Sequence, residues 1–191
     1  MKDVEDYCPS NKKDWRKWLE LNHNKKDSVW LIFYKKKSAH HNLSWSESVD
    51  EALCFGWIDG IKKTIDSEKY RQYFCKRKEK SNWSKINKDK VKILIEEGLM
   101  KEEGYKSIEI AKENGSWTIL NEVEALVIPT DLKEEFANYR GSMEYFESLS
   151  KSVRKVLLHW VVSAKRKETR QKRIKEIAEN AGKNLKPKQF R

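Results

Sequence analysis

The feature that most constrains this chain is a change of hydrophobic period at residues 51–60, Glu-Ala-Leu-Cys-Phe-Gly-Trp-Ile-Asp-Gly. Before Gly56 the apolar residues fall on one helical face: Val49, Ala52 and Leu53. After it, the residues from Trp57 to Ile65 alternate as a strand does, with Trp57, Ile61 and Ile65 expected to face a core. Ser44 with Glu47 three residues on forms a capping-box pattern that starts the helix. Gly56 suits the left-handed position just beyond its end. Asp66-Ser67-Glu68-Lys69 then reads as a turn and Tyr70–Cys75 as a second strand, which predicts a hairpin over 57–76.

The flanking segments extend this into a fold class. Trp15, Trp18 and Leu19 at i, i+3, i+4 give a helix opened by Ser10 or Asn11. The run Ser28–Tyr34 is continuous, β-branched and aromatic, and reads as a central strand buried on both faces. From Ser84 onward the pattern is helical. Helices are expected at about 84–98, 101–114, 130–136, 141–149, 153–164 and 165–180, with a loop at 117–127 and a frayed basic tail at 183–191. The fold class is therefore α+β: an α/β unit with the hairpin at 1–82 and an all-helical half at 83–191, packed as one compact structure.

Charged residues make up 37% of the 191 residues and hydrophobic ones only 38%, but eight Trp give a core large buried areas. The net charge of +11 is concentrated. Residues 141–191 carry 14 Lys/Arg against 5 Asp/Glu, and residues 71–90 carry 8 against 2. Such patches attract anions: nucleic acid, phosphorylated ligands or acidic headgroups. Three Cys at no metal-ligand spacing argue against a disulfide framework and for a reducing compartment. With no apolar leader and no run of 18 apolar residues, the cytoplasm is the expected location and membrane insertion is not expected. No metal or cofactor motif is present in the sequence.

Three places could carry chemistry. Asp59 sits among bulky apolar residues at the junction, where a carboxylate needs a cation or a raised pKa; Lys62, Arg71, Arg77 and Lys80 are candidate partners. Ser81-Asn82-Trp83-Ser84 precedes a helix and follows Arg77 and Lys80, an arrangement able to hold an anion. Together these give a candidate ligand site of Trp57, Asp59, Arg77, Lys80, Ser81, Asn82 and Trp83. The expected function is a non-catalytic protein that binds a small anion. One alternative is an enzyme with Asp59 as acid/base and the Ser81–Ser84 turn as anion holder. The other is a nucleic-acid binder using Lys165, Arg166, Lys167, Arg170, Lys172 and Arg173.

Several blocks are specific enough to suggest kinship: Ala52-Leu53-Cys54-Phe55-Gly56-Trp57-Ile58-Asp59-Gly60, Lys80-Ser81-Asn82-Trp83-Ser84-Lys85-Ile86-Asn87, Glu96-Glu97-Gly98-Leu99-Met100, and Ala164–Ile174. In this order they resemble the YdeI/OmpD-associated, or bacteriocin-protection-like, family. The chain departs from that pattern at Cys75-Lys76-Arg77-Lys78, where a proline near the arginine is expected. The resemblance implies a soluble bacterial stress protein linked to tolerance of bacteriocins or cationic antimicrobial peptides, and carries no catalytic residues with it. A chain of +11 repels cationic peptides, so direct sequestration is a poor mechanism.

Overall fold

In a computed structural model, which describes residues 4–191, the chain is α+β and divides into two units between Trp117 and Thr118.

The first unit holds a four-stranded sheet of order β1-β2-β4-β3, formed by β1 (Asp6–Tyr7), β2 (Ser28–Tyr34), β3 (Trp57–Thr64) and β4 (Lys69–Lys76). The hairpin β3–β4 is antiparallel as its alternation predicts, and β4 also pairs antiparallel with β2. The short β1, in a segment that reads only as a lead-in, pairs parallel with β2 through Asp6 and Trp30. On one sheet face Val29, Leu31, Phe33 and Phe74 are fully buried. The other face is covered less completely: Trp30 is 9% exposed and Ile32 half-buried, so β2 is interior in the sheet but not sealed on both sides.

Helices α1 (Lys12–Asn22) and α2 (Trp45–Cys54) pack on the buried face. Asn11 caps α1 through its side chain, and Ser44 with Glu47 closes the expected capping box on α2. Trp15, Trp57 and Trp83 are almost wholly enclosed. At ~25 cal/mol per Å², each buried indole contributes on the order of 4–6 kcal/mol. A charged contact lies inside this apolar layer. Glu51, 2% exposed, accepts from Arg16 Nη1 at 2.6 Å and lies 3.4 Å from Lys12 Nζ, while Arg16 Nη2 donates to the Leu99 carbonyl. An ion pair with its carboxylate buried locks α1, α2 and the segment at Leu99 in register more than it adds net stability.

Ile61 and Ile65 do not join the core; they are 61% and 44% exposed. The register of β3 against β4 shifts between Asp59 and Lys62, and this bulge ends the simple alternation that the sequence pattern assumes.

Two further helices, α3 (Lys85–Glu96) and α4 (Glu102–Glu113), bury Val91, Leu94, Ile108 and Ala111 in the same core as the sheet. The start of α4 lies against the end of α2. Gly56 has φ +69°, and a Cβ there would meet the Glu103 carbonyl at 2.7 Å. A Cβ on Gly104 would meet the Cys54 carbonyl at 2.4 Å. Lys101 N–H donates to that same Cys54 carbonyl.

The second unit is helical: α5 (Asn121–Glu124), α6 (Thr130–Phe136), α7 (Ser142–Ser148), α8 (Lys151–Val162) and α9 (Lys167–Ala181). Helix α5 falls within the stretch expected to be a loop; at four residues it is too short to show a period. Helix α8 buries Leu157, Leu158 and Val161, whereas Val156 is 49% exposed. The tail is not frayed throughout. Lys188–Phe190 forms a 3₁₀ turn, and Phe190 meets the Trp160 ring edge-on at 5.3 Å.

Candidate functional site

The sequence places its candidate site at the α2–β3 junction, and a cleft of about 200 Å³ opens there. Phe55, Gly56 and Trp57 form one wall, continued by His23 and Asn24 at the end of α1. The end of β4 supplies Lys76 to Glu79, and α4 supplies Glu103, Lys106, Ser107 and Ile110. The lining is mostly apolar. Trp57 and Arg77 were expected here. The contributions of α1 and α4 were not, because residues so far apart in sequence carry no local signal of sharing a wall.

Arg77 is the unusual group. Its backbone N–H donates to the Gly56 carbonyl at 2.9 Å, tying the end of β4 to the junction. Its guanidinium lies over the Trp83 ring at 3.8 Å. Nη1 donates to the Asn82 carbonyl at 3.1 Å, but Nε and Nη2 are buried and have no partner. Burial pushes the Arg77 pKa down to about 10, with the nearby Asp59 charge opposing the shift. The group is still charged at neutral pH, where unpaired buried N–H groups are costly.

The other charges around the cleft are largely engaged. Lys76 pairs with Asp27, and Lys106 with Glu102. Burial raises the pKa of Glu103. Hydrogen bonds from its own backbone and from Asn24, with the His23 charge beside it, outweigh that and hold it below the usual carboxylate range. His23 Nδ1 lies 2.7 Å from the Leu19 carbonyl, and its Nε2 lies 3.3 Å from Glu103 without hydrogen-bond geometry.

The rest of the expected site is distributed differently. Asp59 does not line this cleft. Its Oδ2 accepts from the Gln72 amide at 2.7 Å and from the Trp45 indole at 2.9 Å, and of the expected cations Arg77 reaches it through charge alone, without a hydrogen bond. Of those cations, Lys62 lies over the Tyr70 ring and Arg71 pairs with Asp6. Trp83 is 1% exposed and serves as the floor beneath Arg77. Lys80 is exposed, and Ser81 N–H closes a turn onto the Lys78 carbonyl. Ser84 accepts from Asn87 N–H and so caps α3, which uses part of the N-terminal donor set expected to hold an anion.

In the second unit, the basic surface of α9 is thinner than its sequence suggests. Arg170 grips Asp131 with Nε at 2.6 Å and Nη2 at 2.9 Å. Arg173 donates to the Trp160 carbonyl and lies over its ring. Lys165, Arg166, Lys167 and Lys172 are exposed. Among the described residues no helix is long and apolar enough to cross a membrane.

Comparison with known families gives two matches. The family described as a domain of unknown function (DUF8412) matches residues 7–107, which lie within the first unit. The family described as bacteriocin-protection, YdeI or OmpD-associated matches residues 125–184, within the second. No curated protein and no solved structure gives a significant match.

Proposed function

The chain belongs to the DUF8412 family and carries a bacteriocin-protection, YdeI or OmpD-associated domain, and from that premise we propose that its first unit is a non-catalytic binding module for a small anion. The observation that carries the reading is Arg77: a charged guanidinium held against Trp83 beside an open cleft, with Nε and Nη2 unpaired. A protein core gains nothing from such a group, since a well-packed apolar side chain of similar length is as stable or more so. Its presence is explained by a ligand that completes it. Tolerance of bacteriocins, named in the family description, is then served by ligand binding rather than by capture of cationic peptides, which a chain of net charge +11 repels.

The test is a titration of thermal unfolding with small anions, against chloride at equal ionic strength. A ligand that binds the native state alone raises the midpoint with concentration. Arg77→Met is expected to abolish that shift while leaving the free protein as stable or about 1 kcal/mol more stable, because a desolvated charge has been removed. If no anion at millimolar concentration moves the midpoint, the reading fails.

A further inference from the structure

We infer that the ligand of the Arg77 cleft is a small monocarboxylate with an apolar body of about the size of one ring; this rests on the anion-binding reading above.

The unpaired donor set of Arg77 has a definite shape. Nε–H and Nη2–H lie on one edge of the guanidinium and point the same way, forming a two-pronged fork. The chain shows what that edge holds. In the second unit Arg170 uses the same two nitrogens, Nε and Nη2, to grip both oxygens of the Asp131 carboxylate. In Arg77 the third nitrogen, Nη1, is already committed to the Asn82 carbonyl. The vacant edge therefore matches a planar carboxylate, whose two oxygens lie in the guanidinium plane.

The rest of the cleft favours an apolar body. A cavity of about 200 Å³ is several times the ~30 Å³ share of a water molecule, so an inorganic phosphate leaves most of it unfilled. The lining surface is mostly apolar, and Phe55 and Ile110 are part of it. An apolar body gains from covering it.

Lys76 and Lys106 are neutralised by Asp27 and Glu102, and Glu103 stays ionised in the lining. One negative charge is matched by Arg77. The lining otherwise holds Lys78, Glu79 and Glu103, so the additional charges of a nucleotide or sugar phosphate meet two carboxylates and one cation.

The fork is screened from bulk water in the free protein, so a ligand reaches it only as neighbouring side chains give way. Lys78 and Glu79 are exposed residues of the lining, just after Arg77 in the chain.

The experiment is calorimetric titration of the full chain with benzoate, hexanoate, inorganic phosphate and adenosine monophosphate. The expected result is saturable binding of benzoate or hexanoate, at least tenfold tighter than phosphate or the nucleotide. Tighter binding of phosphate or nucleotide than of either carboxylate overturns this inference and leaves the anion-binding reading standing. No binding by any of the four overturns both. Arg77→Met is expected to weaken carboxylate binding at least tenfold. Ile110→Glu, a change at a partly exposed position of the cleft wall, is expected to do the same by adding a like charge. If Ile110→Glu folds and binds benzoate unchanged, the assignment of the carboxylate to this cleft is wrong, whatever Arg77→Met does to folding.

Discussion

The Gln72 side chain reaches across the β3–β4 hairpin and donates to Asp59 Oδ2 at 2.7 Å, while itself only 6% exposed. The pair sits at the register shift in β3, and the Gln72 amide also bonds the Gly60 carbonyl there. The contact therefore pins the bulge. Gln72→Leu removes a buried donor from a carboxylate and a carbonyl at once and is expected to cost about 1–3 kcal/mol in urea unfolding. Asp59→Asn keeps an oxygen acceptor for both Gln72 and Trp45 and is expected to cost under about 1 kcal/mol. It should not weaken anion binding, since Asp59 lies outside the cleft lining and its own negative charge near Arg77 opposes an anion there. A large affinity loss in Asp59→Asn with unchanged stability would restore a functional role for this carboxylate.

The contact of α2 with α4 makes a second prediction. Gly104→Ala places a Cβ 2.4 Å from the Cys54 backbone oxygen, and the two helix ends must separate to admit it. The expected loss is roughly 3 kcal/mol. Gly98→Ala is the comparison: its φ is +68°, but nothing lies within 4 Å of the added carbon. It should cost only the left-handed backbone penalty, about 1–2 kcal/mol. Equal losses for the two variants, measured by denaturant midpoints, would mean that the α2–α4 approach is looser than the geometry requires.

A third prediction concerns pH and the second unit. The hydrogen bond from Arg170 holds the Asp131 carboxyl below its ordinary value of 3.8, against a smaller upward push from burial. A carboxylate whose pKa is lower in the folded state binds fewer protons there than in the unfolded chain. Its stabilising contribution is thus fully present above 3.8 and is lost as pH falls through the lowered folded value. Asp131 is 45% exposed, so solvent screening keeps the contribution within about 1 kcal/mol. Arg170→Met should destabilise the protein by that amount at pH 7 and by progressively less on acidification below pH 4. A difference from wild type that stays constant down to pH 2.5 would contradict the assignment.

Much of the fold is legible in the sequence because its signals are local. The capping box at Ser44 and Glu47, the left-handed Gly56 and the alternation that sets up the hairpin each depend on a few neighbouring residues, and each appears where expected. Local signals fail where spacing is altered or an element is too short. The bulge after Asp59 turns Ile61 out to solvent, and α5 and β1 are shorter than any period. The candidate site divides in the same way. Trp57 and Arg77 stand out as an aromatic and a cation at element ends, and both line the cleft.

An α+β chain with an aromatic core, concentrated positive charge and an acid at the α2–β3 junction is readable from residue order alone. Which edge of Arg77 is left unpaired follows only from the folded arrangement. Pairing is a matter of distance in space, and the donors that satisfy Asp59 come from Trp45 and Gln72, neither of which is charged. With Asp59 satisfied by those donors, Arg77 is left on Trp83 with one edge unpaired. The rest of the cleft comes from the end of α1 and from α4, and α4 is held against the end of α2 by glycine contacts that no periodicity in the sequence encodes.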